Sequence, residues 1–268
     1  MSGLNGETLD RGTGVSLPEG WDLIALETVE STNAVGRALV EAGQGRDGTV
    51  IWAREQQGGR GRQGRVWHSP PGNLYHSYVL RGCLPLSVAA GMSFVAAVSV
   101  ADALERVAPH TDPRCKWPND IVCHGGKVCG MLLETVNAPG DPVPWLVLGI
   151  GINVATAPVT GALFPALALA DLGQQVEVEA LLSATAERLA LWVGRWRAEG
   201  LGPVRARWLE RALGLGKTIE VRVGRADRLK GLFEGLDEDG TLILRTEDGA
   251  LRRLAAGDVF FPSAQGGA

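Results

Sequence analysis

The near-continuous apolar run WLVLGIGINV, residues 145–154, limits the fold of this 268-residue chain more than any other segment. A strand with one solvated face alternates apolar and polar residues, whereas a run without such alternation needs cover on both faces. The run therefore predicts a central strand in a sheet that is covered on both sides.

Strand and helix patterns alternate on both sides of this run. Apolar or alternating segments bounded by turn residues predict strands, at WDLIALE, TVIWARE, NLYHSYVLR and, as two strands joined by a turn at His124-Gly125-Gly126, CKWPNDIVCHGGKVCGMLLETV. Helical patterns predict helices at STNAVGRALVEAG, capped by Ser31 or Thr32 and ended by Gly43, and over residues 87–107, 177–200 and 203–213. Together these elements predict an α+β domain in which a mixed β-sheet packs against helices.

The pattern changes after Gly214. Short strand patterns follow at regular spacing, with DEDG and EDG turns between them, at TIEVRV, RLKGLFEGL, TLILRT and ALRRL. Such spacing is typical of a small, separate β-barrel. We therefore divide the chain into a flexible, glycine-rich tail over residues 1–20, a main domain over residues 21–213 and a barrel over residues 214–268.

Charge and cysteine usage exclude several classes of protein. The formal net charge of −4 excludes a surface that is basic throughout, so a bound polyanion needs a local basic cluster. We find no signal peptide and no membrane span, which predicts a cytoplasmic protein with no membrane partner. None of the cysteines forms a Cys-x-x-Cys pair, which predicts free and mostly buried thiols at Cys83, Cys115, Cys123 and Cys129.

The segment EQQGGRGRQGRVW, residues 55–67, is the strongest chemical signal. Its four glycines let backbone N–H groups approach a ligand closely, and its arginines add fixed positive charge. Amide groups and guanidinium forks both donate to anionic oxygens, so the loop suits a phosphate or a carboxylate. The alternative is a solvated, flexible loop. An RNA tether is disfavoured because the motif occurs once, between two strands, in an acidic chain.

The second signal is KWPND, residues 116–120, which holds one of the four lysines of the chain. Pro118 stiffens the local backbone, so Lys116 and Asn119 are held in fixed positions. A second lysine, Lys127, follows on the next predicted strand, and a hairpin would bring both lysines toward one site. The alternative is an ordinary β-turn.

Other catalytic motifs fail on spacing. In GIGIN the third glycine of a dinucleotide fingerprint is replaced by Val154, and in GLGKT the first glycine of a phosphate-binding loop is replaced by Arg211. The chain also lacks a G-x-S-x-G elbow and a convincing Cys/His pair. These motifs therefore assign no nucleophilic residue.

Five blocks in this order resemble the biotin–protein ligases, also called biotin–[acetyl-CoA-carboxylase] ligases. They are Ser31-Thr32-Asn33, GGRGRQGRVWHSPPGNLY, KWPND, GGKVCGMLLE and GIGIN, and DEDGTLIL with AGDV resembles the small C-terminal barrel of that family. The resemblance implies a catalytic domain of the biotin/lipoate ligase type over residues 21–213 and an SH3-like barrel behind it.

The resemblance also implies a reaction in two steps. The biotin carboxylate attacks the α-phosphorus of ATP, giving biotinyl-5′-AMP and pyrophosphate. The ε-amine of a lysine on a biotin carboxyl carrier domain then takes the biotinyl group. Fixed cations and Mg²⁺ bring the anion onto the polyanion, and a loop that closes over the activated acyl phosphate excludes water. The expected ligands are biotin, ATP and Mg²⁺, with no tightly bound metal.

Residue by residue, the resemblance places biotin contacts at Ser31, Thr32, Asn33, Gln56, Arg60, Gly61, Arg62 and Lys127. It places contacts to ATP and the adenylate at Arg60, Arg62, Arg65, Trp67, Lys116, Asn119, Lys127 and Asn153. The expected catalytic residues are Lys127, Lys116 and Arg62, and Asp120 is expected to help place magnesium. For residues 31–33 the rival interpretation is helix capping.

Some alternatives stay open at this point. A lipoate or octanoate ligase of the same fold leaves residues 55–67, the arginine loop, unexplained. A non-catalytic biotin or nucleotide regulator leaves Lys116 and Lys127 unexplained. The twenty or so residues before the first strand are too few for a helix-turn-helix module, so we predict no DNA binding. The edge of the main sheet is available for a homodimer or for carrier docking.

Overall fold

A seven-stranded mixed sheet forms the centre of the computed structural model, which describes residues 13–82, 91–159, 165–224 and 227–261. Its strands are β1 (Asp22–Val29), β2 (Thr49–Gln56), β3 (Leu74–Arg81), β4 (Arg114–Lys116), β5 (Asp120–Cys123), β6 (Gly126–Val136) and β7 (Trp145–Ile152). They lie in the order β1-β2-β3-β7-β6-β5-β4. Strands β1 and β2 are parallel, and the other neighbours are antiparallel.

Helices cover both faces of this sheet. Helix α1 (Thr32–Glu41) packs on one face, and α2 (Met92–Val107), α3 (Val178–Glu199) and α4 (Gly202–Glu210) form a layer on the other. In β7, Val147 belongs to the core under α1, whereas Leu146 and Leu148 belong to the core under the helical layer. The central strand predicted from its unbroken apolar run is therefore confirmed.

A second sheet of five antiparallel strands follows, in the order β11-β10-β9-β8-β12. Its strands are β8 (Thr218–Val223), β9 (Asp227–Leu236), β10 (Leu242–Thr246), β11 (Leu251–Leu254) and β12 (Asp258–Phe260). The ring of Trp208 lies between Phe94, at 5.7 Å, and Phe233, at 6.5 Å, so the small sheet shares a core with the larger unit. The α+β class with a small C-terminal β-domain is confirmed, while the boundary at residues 213 and 214 stays a prediction.

Several local predictions differ from the structure. The last predicted helix ends at Glu210, because the following residues pair with the β4 backbone: Cys115 N–H donates to Arg211 O, and Leu213 N–H donates to Cys115 O. Strand β12 was not predicted as a strand. Residues 1–12 of the predicted tail and residues 87–90 of the predicted helix lie outside the described residues.

Two predictions about the whole chain can be compared with the described residues. Cys115, Cys123 and Cys129 are unpaired and buried, as predicted, while Cys83 lies outside the described residues. None of the helices in the described part of the chain is long and apolar enough to cross a membrane.

Candidate active site

A cavity of about 620 Å³ opens between the main sheet and the C-terminal sheet. Its walls come from the start of α1, the loop after β2, the β5–β6 hairpin, the end of β7 and two strands of the small sheet. All of the residues predicted from the sequence as ligands or catalysts line it, namely Ser31, Thr32, Asn33, Gln56, Arg60, Gly61, Arg62, Arg65, Trp67, Lys116, Asn119, Asp120, Lys127 and Asn153. Their individual roles toward ligands stay predictions.

Three consecutive antiparallel strands bring the two lysines to one carboxylate, since Lys116 ends β4, Asp120 begins β5 and Lys127 lies on β6. Lys127 Nζ lies 2.6 Å from Asp120 Oδ1, and Lys116 Nζ lies 3.4 Å from Asp120 Oδ2. Burial alone raises the pKa of Asp120, but the ammonium groups of Lys127 and Lys116 outweigh burial and hold that pKa below its usual value. Burial lowers the pKa of Lys116, against the pull of Asp120. Two ammonium groups share one carboxylate, so the cluster carries surplus positive charge for an anionic ligand.

The expectation that Asp120 helps place magnesium stays a prediction. Both oxygens of Asp120 face ammonium groups, and the other lining carboxylate, Asp258, faces two arginines. Among the described residues, we find no group of three or more His, Cys, Asp or Glu side chains arranged to hold a metal. Mg²⁺ commonly binds through one or two carboxylates together with substrate phosphates, and at this site it would compete with the two lysines for Asp120.

The arginine loop is closed against the C-terminal sheet. Arg62 Nη1 donates to Asn119 Oδ1 at 3.2 Å and to the carbonyl of Gly257 at 3.4 Å. Arg65 Nη2 lies 3.0 Å from Asp258 Oδ1, and Arg222 Nη2 lies 3.0 Å from Asp258 Oδ2. Asp258 thus joins the loop to the small sheet, a connection that the sequence analysis missed because these residues are far apart in the chain.

Trp67 lies flat on the strands at the cavity floor. A Cβ at Gly151 would come within 2.6 Å of Trp67 Nε1, so the indole contacts the strand only because residue 151 has no side chain. The ammonium of Lys127 lies 5.2 Å from the ring centroid, within reach of a cation–π interaction. The buried Trp67 Nε1 makes no hydrogen bond within the described structure. The indole therefore offers an apolar face to a ligand, while its Nε1 lies against β7.

Asn153, at the end of β7, has one amide atom satisfied and one available. Its Nδ2 donates to the carbonyl of Leu167 at 3.2 Å. Its Oδ1 is buried and has no hydrogen-bond partner among the described residues. A buried acceptor without a partner is costly, so this oxygen is a candidate acceptor for a ligand N–H group.

The start of α1 does not use its side chains for capping. Ser31 occupies the cap position but makes no side-chain cap hydrogen bond. Instead, Thr32 N–H donates to Gln56 Oε1 at 2.9 Å, and Gln56 Nε2 donates to Ser69 Oγ at 3.0 Å. The capping interpretation is therefore wrong for these side chains, which build the polar end of the cavity.

Two further residues extend this polar end, and the sequence analysis missed both. The hydroxyl of Ser77 lies 2.7 Å from Thr32 Oγ1 and 2.6 Å from Asn33 Oδ1, and Asn33 Nδ2 donates to Glu134 Oε2 at 2.7 Å. Single polar residues inside strand patterns carry no local signal of a ligand site. Their role becomes visible only when β3 and β6 are placed beside α1.

Comparisons with known proteins agree with this geometry. Residues 25–153 match the biotin/lipoate A/B protein ligase family, and residues 214–261 match the biotin protein ligase C-terminal domain. The chain is similar to a biotin–[acetyl-CoA-carboxylase] ligase of Paracoccus denitrificans, with 39% identity over 88% of this chain and 99% of the relative.

Solved structures give the same result. A biotin protein ligase from Aquifex aeolicus in complex with biotin and ATP is similar with a TM-score of 0.74 and 27% identity, over 89% of this chain and 97% of that one. A biotin protein ligase from Leishmania major in complex with biotinyl-5-AMP is similar with a TM-score of 0.61 and 26% identity, over 88% of this chain and 99% of that one.

Proposed function

Because this chain belongs to the biotin/lipoate A/B protein ligase family, we propose that it is an ATP-dependent biotin–protein ligase. It activates biotin as biotinyl-5′-AMP and transfers the biotinyl group to a lysine. The observation that carries the proposal is the cavity itself, where two lysines share Asp120 beside a closed arginine loop. A cationic cavity without a protein nucleophile suits a reaction in which the substrate carboxylate attacks.

In the first step a carboxylate oxygen of biotin forms a bond to the α-phosphorus, and the bond to pyrophosphate breaks. Negative charge builds up on the phosphorus oxygens, and the barrier is the approach of one anion to another. Lys127 and Lys116 are proposed to stabilise that charge, since fixed cations need no reorganisation as the charge develops. Mg²⁺ is proposed to enter with the ATP phosphates and to neutralise part of their charge.

The arginine loop is proposed to act as a lid. Arg62 reaches Asn119 and the Gly257 carbonyl, so the closed loop spans the cavity from the main sheet to the small sheet. A closed lid positions the reactants and excludes the water that would hydrolyse the acyl phosphate. It also keeps biotinyl-5′-AMP in the cavity until the acceptor arrives.

The polar end and the floor of the cavity are proposed to hold the two halves of the adenylate. Thr32 Oγ1 and Gln56 Oε1, 3.2 Å apart, face the cavity as a seat for the ureido head of biotin. The Oδ1 atom of Asn153 suits the adenine amino group, and Trp67 offers a flat face for packing. The carboxylate–phosphate junction then falls beside Lys127, between the two seats.

In the second step the ε-amine of a carrier lysine attacks the acyl carbon, the amide bond forms, and AMP leaves with the bonding electrons. The carrier is proposed to be a biotin carboxyl carrier domain of a carboxylase. Self-association and the absence of DNA binding stay predictions from the sequence.

The test is pyrophosphate release from Mg²⁺-ATP without carrier, with biotin, lipoate or octanoate supplied separately. We expect release with biotin alone, and release that stops after about one equivalent because the adenylate is retained. Release with lipoate or octanoate instead would keep the fold and overturn the substrate. Biotin binding without any release would show a regulator rather than an enzyme. Adding a biotin carboxyl carrier domain should then restore turnover and label one lysine.

A further inference from the structure

The polar end of the cavity contains a chain of hydrogen bonds that begins at a carboxylate. Asn33 Nδ2 lies 2.7 Å from Glu134 Oε2 and 3.4 Å from the carbonyl of Leu132, and both of these groups can only accept. The amide nitrogen must therefore face them, which turns Asn33 Oδ1 toward Ser77. The Glu134 carboxylate and the Leu132 carbonyl thus determine the orientation of the Asn33 amide.

The next two hydrogens follow from that orientation. Ser77 has one hydroxyl hydrogen, and Asn33 Oδ1, at 2.6 Å, can take it only as an acceptor. Ser77 Oγ is then an acceptor for the hydroxyl of Thr32 at 2.7 Å. Once the Thr32 hydrogen is committed to Ser77, the remaining lone pair of Thr32 Oγ1 faces the cavity without a hydrogen of its own.

The second oxygen of the seat is also an acceptor. Gln56 Oε1 takes the backbone N–H of Thr32 at 2.9 Å, and its nitrogen is used by Ser69. Thr32 Oγ1 lies 3.2 Å from Gln56 Oε1, within hydrogen-bond reach, but its single hydrogen is already given to Ser77 at 2.7 Å. The two oxygens therefore present two acceptors, and an N–H donor from a ligand satisfies them.

We propose that Glu134 and Ser77 are positioning residues that fix the direction of this hydrogen-bond chain and thereby select a ligand with an N–H donor at the polar end. The proposal rests on the proposed function, in which that donor is a ureido N–H of biotin. Ser77 is completely buried behind the cavity wall and Asn33 is 5% exposed. Water therefore cannot take part in these hydrogen bonds and change their direction. The backbone at Gly149 presses on Asn33, since a Cβ there would lie 2.3 Å from Asn33 Oδ1.

The test replaces Glu134 by Gln, which keeps the shape and removes the charge. The side chain of Arg37 lies 3.6 Å from Glu134 Oε1 and attracts the amide oxygen of the new Gln, which turns its nitrogen toward Asn33. Of the two groups that accept from Asn33 Nδ2, only the Leu132 carbonyl, at 3.4 Å, then disfavours the flipped orientation of the Asn33 amide. When the Asn33 amide flips, each hydrogen bond in the series from Asn33 through Ser77 to Thr32 reverses its direction. The Thr32 hydroxyl then donates into the cavity.

The test uses two cyclic-carbamate analogues of biotin, in each of which one ureido N–H is replaced by oxygen. The readout is a discrimination ratio, which is the Kd of the analogue divided by the Kd of biotin. Unpaired buried acceptors should make the wild type reject at least one analogue by about 100-fold or more. In Glu134→Gln we expect that ratio to fall at least about tenfold, or about 1.4 kcal/mol. Arg37→Gln is the matched control, because it removes the exposed partner of Glu134 and leaves the chain intact.

A double-mutant cycle checks that the effect passes through Ser77. In a Ser77→Ala background the chain is already broken, so Glu134→Gln should leave the discrimination ratio unchanged within twofold. An unchanged ratio in Glu134→Gln alone, or equal loss of affinity for biotin and the analogues, overturns the proposal, since equal loss is what a purely structural role gives. A wild-type protein that binds no biotin contradicts the proposed function instead.

Discussion

Replacing Asp120 by Asn tests the charge arrangement at the centre of the cavity. The substitution keeps the size of the side chain and removes the charge that two ammonium groups share, at 2.6 Å from Lys127 and 3.4 Å from Lys116. Lys116 and Asp120 have side chains only 10% and 12% exposed, so water cannot take over the role of the carboxylate. The variant therefore holds two like charges in a largely buried space.

The expected loss of stability can be bracketed. Breaking a buried ion pair by removing one partner costs about 3–5 kcal/mol, because an uncompensated charge stays behind. Lys127 has a side chain 29% exposed, so solvent screens part of its share. We therefore expect the free energy of unfolding of Asp120→Asn to fall by about 3 kcal/mol at pH 7.

The pH dependence has a definite sign. The folded pKa of Asp120 is lower than its unfolded value, so its contribution is complete above the unfolded pKa of about 3.9 and is lost as the pH falls through the folded pKa. The difference in the free energy of unfolding between wild type and Asp120→Asn should disappear as the pH falls. It should also narrow on the alkaline side, because without Asp120 the pKa of Lys116 falls further and that amine loses its proton.

Urea unfolding at pH 7 and at pH 9.5 measures both effects. The double variant Asp120→Asn/Lys116→Met removes one of the two surplus charges and should recover about half of the loss. Lys116→Met alone leaves the pair of Asp120 with Lys127 and serves as the control. Equal stability of wild type and Asp120→Asn at pH 7, or a double variant no more stable than Asp120→Asn, would refute the reasoning.

Two other substitutions and one labelling experiment have expected outcomes. Lys127→Met should slow biotin-dependent pyrophosphate release by about 100-fold or more while the protein stays folded, and substantial residual turnover would move the catalytic charge elsewhere. Asp258→Asn releases Arg65 from the small sheet and should raise the KM for ATP about fivefold, whereas an unchanged KM in initial-rate assays contradicts the lid contact. The three buried cysteines should react with a thiol reagent only after unfolding, because burial raises their thiol pKa values, to about 12 for Cys115 and Cys123; rapid labelling of the native protein would show that they are accessible.

The sequence predicted the cavity well because its main parts are short, contiguous motifs. Glycines beside arginines in residues 58–65 indicate an anion-binding loop without any tertiary information. The same holds for Lys116 and Lys127, which lie on β4 and β6, the two strands that flank β5 and its Asp120. Where the residues of a site are neighbours in the sequence, local sequence patterns are sufficient to predict the site.

Residues that act through long-range pairing could not be found in this way. Ser77 is one polar position in an otherwise regular strand, and Asp258 lies in a three-residue strand almost two hundred residues after the loop that it holds. The end of α4 shows the same limit, since Arg211 leaves the helix because its carbonyl pairs with Cys115 of β4. In each case a partner distant in the sequence decides the conformation or the role.

The overall charge of the chain conceals the charge of its site. Six basic and two acidic side chains line the cavity, which gives it a formal charge of +4, whereas the whole chain carries −4. A cavity with low-dielectric walls focuses such a charge and attracts an anion whatever the sign of the remaining surface. The closed loop is part of this arrangement, because contacts with Asn119 and Asp258 hold Arg62 and Arg65 at the cavity. A basic cavity in a chain of net negative charge thus fits the proposed reaction, in which a triphosphate and a carboxylate are bound together.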